Sequence, residues 1–180
     1  MELASLDGTP ASAGSAPGRP AAPGKYMSFR LGGGLYGLEI GVVREIIGLL
    51  EITRIPRTAP HIRGVINLRG VVIPVVDLGR ALGMDPVDPT EQTVIIVVQY
   101  GAPERGVVKG VLVDEVVEVL DLTRDSIAAP PRLAGGSQPE RLMRGVGHAG
   151  GRVVFLLDIE RILEAQGPDE AAGAGAPAGR

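Results

Sequence analysis

The sequence predicts an all-β fold built from two copies of one small barrel. Three observations carry this. The apolar runs are short, rich in Val and Ile, and broken by Gly, Pro or Asp about every ten residues, the spacing of sandwich and barrel strands. Helical periodicity is scarce. The chain also matches itself: a shift of 81 residues lays Ile62 to Leu82 on Met143 to Leu163 without a gap, with eight of 21 positions identical.

Residues 1–24 are dominated by Ala, Gly, Pro and Ser, with almost no large apolar side chain to offset the entropy of ordering them, and read as a disordered arm. The folded unit is expected over residues 25–165. Candidate strands are Tyr26 to Leu31, Leu35 to Ile40, Val71 to Val76, Thr93 to Tyr100, Val107 to Val113, Glu115 to Leu120 and Arg152 to Leu157. Gly32-Gly33-Gly34 joins the first two as a hairpin turn. One helical turn is expected around Asp77 to Leu82, another after Pro60, and a closing helix over Asp158 to Ala165 with Asp158 as its N-cap. From Gln166 to Arg180 the Ala/Gly/Pro composition returns, so this segment reads as a disordered tail.

Composition excludes several functions. The formal charge is -3 and the pI about 5.4, which offers no general attraction to nucleic acid backbones or anionic lipid. Aromatic residues are 3% of the chain, too few for base-stacking platforms. Cysteine is absent, which removes disulfides and thiolate metal sites. The N-terminus lacks the basic and apolar regions of a secretory signal, and the aliphatic stretches are far below the roughly 18 to 20 residues that span a bilayer. A soluble, cytoplasmic protein is expected.

The repeat separates architecture from exception. It pairs Arg63 with Arg144, Gly64 with Gly145, Val65 with Val146, Gly70 with Gly151, Val72 with Val153, Asp77 with Asp158, Arg80 with Arg161 and Leu82 with Leu163. A second shift, of 73, aligns Gly37-Leu38-Glu39-Ile40 with Gly110-Val111-Leu112-Val113, and Val43, Glu45 and Ile46 with Val116, Glu118 and Val119. Units of this size have marginal cores alone, so the copies should pack side by side. They diverge at one turn, where the first reads Ile66-Asn67-Leu68-Arg69 and the second Gly147-His148-Ala149-Gly150. Gly and Ala suffice to close that turn. The larger side chains of the first copy are therefore candidates for recognition: Arg69 through its five-donor fork, Leu68 as an apolar plug.

Catalytic chemistry is not expected. The two histidines, His61 and His148, fall at non-equivalent points of the repeat, and no nucleophile elbow accompanies them. Asp77 and Asp158 lack nearby ligand clusters and read as helix caps. Gly32-Gly33-Gly34 is followed by neither the Lys-Ser/Thr pair of a phosphate loop nor a helical pattern. No cofactor and no metal is expected.

The run His61-Ile62-Arg63-Gly64-Val65-Ile66-Asn67-Leu68-Arg69-Gly70, with Val71-Val72-Ile73-Pro74-Val75-Val76-Asp77-Leu78 after it, closely resembles the signature of CheW-like domains. The likeness extends from Tyr36-Gly37-Leu38-Glu39-Ile40 to Val153-Val154-Phe155-Leu156-Leu157-Asp158. It implies two five-stranded SH3-like barrels side by side, in agreement with the repeat. It further implies a non-catalytic adaptor coupling methyl-accepting chemoreceptors to the CheA histidine kinase in chemotaxis, recruited to membrane receptor arrays. The receptor's helical hairpin tip would bind between the barrels and the kinase's regulatory domain at their ends. By motif, the resemblance places Val43, Glu45, Gly64, Asn67 and Arg69 on the receptor side, with Leu68, Val94, Gly110 and Val119 at coupling positions.

Two other readings stand beside this one. The same scaffold could serve another chemosensory array, controlling surface motility or development. A generic SH3-like peptide-binding module would need an aromatic-lined groove, which this composition does not supply.

Overall fold

The computed structural model describes residues 19–102, 104–131 and 141–166. Gly32 and Gly33 take φ of +52° and +87°, the left-handed pair that a two-residue hairpin demands and that glycine reaches without steric cost. They fold strand β1 (Gly24–Leu31) back on β2 (Gly34–Glu39). A 3-10 turn, Ile40–Val42, leads into β3 (Val43–Gly48). Strands β4 (Ile62–Leu68) and β5 (Val71–Asp77) form a second hairpin, followed by the one-turn helix α1 (Leu78–Ala81). The pattern then runs again through β6 (Val94–Tyr100), β7 (Val107–Val113), β8 (Glu115–Leu122), a 3-10 turn at Arg124–Ser126 and the two-residue β9 (Ile127–Ala128). It closes with β10 (Met143–Ala149), β11 (Arg152–Leu157) and α2 (Ile159–Ala165).

These strands form two sheets, ordered β8-β1-β2-β11-β10-β9 and β3-β6-β7-β5-β4. Neither sheet is one half of the chain. The β1–β2 hairpin of the first half sits in a sheet otherwise made from the second half, and the β6–β7 hairpin of the second half sits among β3, β5 and β4. Two short parallel pairings stitch the exchange: β5 to β7 through Val75 opposite Gly110, and β11 to β2 through Leu156 opposite Gly37. Glycine leaves room at both points for side chains packed over the backbone. A Cβ on Gly110 would lie 2.8 Å from Ile95 Cγ2 and 3.3 Å from Val75 Cγ2, and one on Gly37 would lie 3.1 Å from Leu156 Cδ2.

The repeat holds in the register. Ile62 faces Val76 and Gly64 faces Val75 across a bulge; 81 residues on, Met143 faces Leu157 and Gly145 faces Leu156 across the same bulge. Asp77 and Asp158 both cap, accepting from the backbone N–H of Arg80 and Arg161.

The continuous apolar runs have a reason: these strands are buried on both faces. Ile95 and Val97 point into a cluster with Ile66, Ile73, Val75 and Leu112, inside the second sheet. Their neighbours Ile96 and Val98 point into the largest cluster, which also takes Phe29 and Leu38 from the first sheet and Ile162 and Leu163 from α2. The main core therefore lies between the sheets. A third cluster, around Tyr26, Leu122, Val154 and Leu156, fills the first sheet.

The fold is mostly β with few helices, as expected, but it differs from the expectation in three ways. In place of two five-stranded closed barrels there is one five-stranded and one six-stranded sheet, and neither hydrogen-bonded ladder closes on itself. The halves interleave instead of packing side by side. Four strands, β3, β4, β9 and β10, fall outside the candidate segments; β4 and β10 carry interior glycines, which dilute the strand signal. The described backbone also reaches back before Lys25, since the Ala21 N–H donates to the Arg144 carbonyl and the Tyr26 hydroxyl to that of Ala22. The remainder of the arm (1–18) and most of the tail (167–180) lie outside the described residues.

Two outcomes follow from this packing. A fragment ending at Asp88 lacks β7 and β11, the partners of β5 and β2, and should show no amide dispersion by NMR until mixed with residues 89–180. Burial, then the charge of Glu39, raises the Tyr26 phenol above its usual value of about 10, and burial alone raises Tyr36. The folded state holds these protons more tightly than the unfolded chain, so stability is full below about pH 10 and falls as pH rises through the raised values. Thermal melts across that range, read with tyrosinate absorbance, should show the melting temperature dropping there.

Candidate functional site

The divergent turn stands at the tip of the β4–β5 hairpin. Arg69 and Gly70 occupy its two central positions with φ of +52° and +85°; Gly150 and Gly151 take +55° and +75° in the second hairpin. The backbone thus has one shape in both copies, and Arg69 holds a left-handed conformation that costs a side chain and suits glycine. Asn67, the last outward residue of β4 before the turn, accepts a hydrogen bond from the Gly70 N–H at 2.8 Å through Oδ1. Leu68 packs against the cluster inside the second sheet.

Arg69 reaches across to β3. Its Nη1 and Nη2 donate to Glu45 Oε1 and Oε2 at 3.1 and 2.8 Å, a bidentate fork. The hydrogen bonds Arg69 donates to Glu45, and then the charge of Glu45, raise the Arg69 pKa above its usual value. Strands β3 and β4 are the opposite ends of the second sheet, so this pair spans its two edges. The Thr53–Val65 bridge ties the segment that follows β3 to β4 in backbone hydrogen bonds, 2.9 Å each way. The Arg69 side chain is 74% exposed and that of Glu45 31%, so the fork faces solvent. Beside it stand two bare valines, Val71 at 60% and Val72 at 64% exposure, with Ile46 of β3 at 42%.

The expected site residues divide into groups. Glu45, Asn67, Leu68 and Arg69 come together at the hairpin tip. Val43 and Val94 are partly buried and pack against the core between the sheets. Gly110 is interior, under Ile95 and Val75. Val119 is 51% exposed but lies on β8, the edge of the other sheet. Gly64 is buried, with φ of +139°, and a Cβ there would stand 2.1 Å from the Thr53 carbonyl oxygen. Its counterpart Gly145 is pressed in the same way by the Ala128 carbonyl at 2.8 Å. Glycine at this position lets the Thr53 segment seat on β4.

Three features were missed. The exposed Val71-Val72 pair was read as ordinary strand core, because the sequence does not show that β5 overhangs its neighbour at this end. In the second lobe Glu118, equivalent to Glu45, pairs with Arg152 of the β10–β11 hairpin; the 73-residue shift carried that signal. Finally, an apolar cavity of about 640 Å³ lies where α1, α2, β2 and β11 meet, lined among others by Tyr36, Met84, Met143 and Phe155. Among the described residues no group of His, Cys, Asp and Glu could hold a metal ion, and no helix is long and apolar enough to cross a membrane.

Two interleaved β-sheets, few helices and an exposed charged fork at a hairpin tip define a two-lobed β scaffold. The CheW-like domain model matches residues 25–167, and the chain belongs to that family. It is 39% identical over 142 residues to the chemotaxis protein CheW of Klebsiella aerogenes, covering 79% of this chain and 82% of that one. It is 36% identical over 107 residues to the chemotaxis protein CheW of Bacillus subtilis, covering 59% of this chain and 66% of that one. The crystal structure of the scaffolding protein TtCheW from Thermoanaerobacter tengcongensis superposes with a TM-score of 0.68 at 31% identity, over 79% of this chain and 93% of that one.

Substituting Gly64→Ala should destabilise the fold by at least about 3 kcal/mol, because the new methyl meets backbone and the φ suits glycine. Arg69→Gly should leave the melting temperature within a few degrees of native, since relief of the turn offsets the lost ion pair. Chemical denaturation of the two variants checks both.

Proposed function

We propose that this protein is a non-catalytic chemotaxis scaffold, coupling methyl-accepting chemoreceptors to a CheA-type histidine kinase from the cytoplasmic face of membrane receptor arrays. The observation that carries the reading is the exposed Arg69–Glu45 fork with Asn67 and the bare Val71-Val72 pair beside it. A helical hairpin tip presents apolar side chains together with unpaired backbone groups and charges. A guanidinium held flat by its carboxylate, next to uncovered valines, is complementary to such a surface. Glu45 fixes the orientation of Arg69, so little rotamer entropy is lost on contact.

Membership of the CheW-like family supports a chemoreceptor and a histidine kinase as the partners. We read the two sheets as SH3-like lobes, the second rolled up by the Thr53–Val65 bridge and the fork between its edges. The lobe ends then meet the kinase's regulatory domain, and the Arg69 surface, with Val43 and Val94 behind it, meets the receptor. Val119, on the far sheet, belongs to the kinase side in this reading. Contacts of this kind are small, and an array supplies avidity.

Reconstitution of a cognate receptor fragment and kinase, reading kinase autophosphorylation, tests the proposal. Native protein should raise receptor-dependent phosphorylation. Arg69→Glu sets a carboxylate against Glu45 at an exposed turn, so it should fold normally yet leave phosphorylation at the level seen without scaffold. Full activation by a folded Arg69→Glu variant would remove the turn from the receptor interface. No activation by the native protein would remove the function itself.

A further inference from the structure

The tip of the β4–β5 hairpin combines two features that work against each other. A two-residue hairpin turn with positive φ at both central positions favours Asn, Asp or Gly at the first of them. Arg69 stands there instead, at φ of +52°, where its Cβ crowds the backbone. The second hairpin reaches the same shape with Gly150 and Gly151, which have no Cβ to crowd. Something in the first lobe must hold Arg69 in this conformation, because the direction of its side chain depends on it.

Leu68 and Val71 are the paired residues that flank the turn, as Ala149 and Arg152 are in the second lobe. The closing bond of such a turn joins these flanking residues and leaves out the N–H of the second central residue. In the first lobe that N–H belongs to Gly70, and Asn67 Oδ1 accepts from it at 2.8 Å. Asn67 is the exposed residue opposite Val72, and its counterpart in the second lobe, opposite Val153, is His148. The carboxamide thus bridges Arg69, from a residue before it to the one after it. A side-chain oxygen that accepts from an N–H three residues on is the bond with which Asn stabilises local turns and helix starts. It occurs in the lobe whose turn carries a Cβ, and an imidazole takes its place where the turn is Gly-Gly.

A second constraint acts on the far end of the side chain. Glu45 accepts from both Nη groups of Arg69, at 3.1 and 2.8 Å, and it stands on β3, at the opposite edge of the sheet. A bidentate fork demands angle as well as distance, so it forms only where the backbone aims Arg69 at Glu45. With the arginine side chain 74% exposed, packing does little to fix it. The turn at one end and the carboxylate at the other do.

We infer that Asn67 is a positioning residue for Arg69: its bond to Gly70 holds the turn in the conformation from which the guanidinium reaches Glu45, and it does not itself touch the receptor. This rests on the reading of Arg69 as a receptor-facing residue. It separates two neighbours that the motif places together, Arg69 as contact and Asn67 as support.

The test has one arm without receptor and one with it. In the full chain alone, Asn67→Ala should shift the Arg69 guanidinium N–H resonances toward those of Glu45→Ala, which removes the pair. Asn67→Ser keeps an oxygen acceptor and adds no charge beside Glu45, so its resonances should stay nearer the native positions. Native Arg69 resonances in Asn67→Ala would overturn the inference. With a cognate chemoreceptor cytoplasmic fragment, Asn67→Ala should weaken binding by about fivefold, the worth of one net hydrogen bond. The same change in an Arg69→Gly background should weaken it no further. Equal losses in both backgrounds would show that Asn67 contacts the receptor itself and would also overturn the inference. Binding that Arg69→Gly leaves unchanged would instead remove the receptor reading of the turn, and the resonances of the isolated protein would still decide the role of Asn67.

Discussion

The fold depends on two parallel contacts, Val75 with Gly110 and Leu156 with Gly37. Each joins a strand of one half of the chain to a hairpin donated by the other. Without them each sheet would split into a three-stranded piece, β8-β1-β2 or β3-β6-β7, and the strands beyond it. The contacts exist because two glycines leave room for Val and Leu side chains. Everything else is placed relative to them: the main core is the space between the sheets, α1 and α2 lie at the ends of β5 and β11, and the β4–β5 and β10–β11 hairpins project from corresponding ends. Exchange of hairpins also resolves the problem posed by the size of each repeat, since neither half has to bury its apolar surface alone.

Curling each sheet brings its distant edges close, and the same device serves both lobes. A backbone bridge meets the fourth strand of the roll, Thr53 on Val65 in one lobe and Ala128 on Val146 in the other. A buried glycine, Gly64 or Gly145, admits it. A glutamate near the edge strand then meets an arginine of the hairpin, Glu45 with Arg69 and Glu118 with Arg152. In the second lobe the arginine has moved off the turn onto β11, and the turn itself is Gly-Gly. In the first lobe the arginine stays at the tip, in a backbone conformation that a side chain does not favour.

Much of this was legible in the sequence, for physical reasons that differ by element. Strands β7 and β11 were found to the residue, because each is dominated by Val, Leu and other apolar side chains and is bounded by turn residues. The caps at Asp77 and Asp158 were legible because capping is local. The repeat exposed the turn and Arg69. What the sequence hid was pairing at a distance. Periodicity shows that a strand has buried faces, not which half of the chain covers them, so the exchange of hairpins was invisible. Strand β3 alternates between half-buried and exposed and reads as a polar edge. Gly64 was expected on the receptor side from its motif; the carbonyl pressing on it comes from Thr53, eleven positions upstream.

Near-symmetry of the lobes bears directly on how one face becomes a recognition surface. Two equivalent hairpin tips with the same backbone shape would offer a partner two equivalent sites. The chain breaks that equivalence with few changes: side chains at Asn67, Leu68 and Arg69 against His148, Ala149 and Gly150, and Val71 against Arg152. The last exchange matters most. Placing the arginine on β11 in the second lobe covers the strand position that Val71 leaves bare in the first. The same Glu–Arg closure therefore leaves two valines, Val71 and Val72, exposed beside a fixed guanidinium at one tip and one, Val153, beside the ion pair at the other. Because the closure is made in both lobes, that difference in presentation requires no difference in fold.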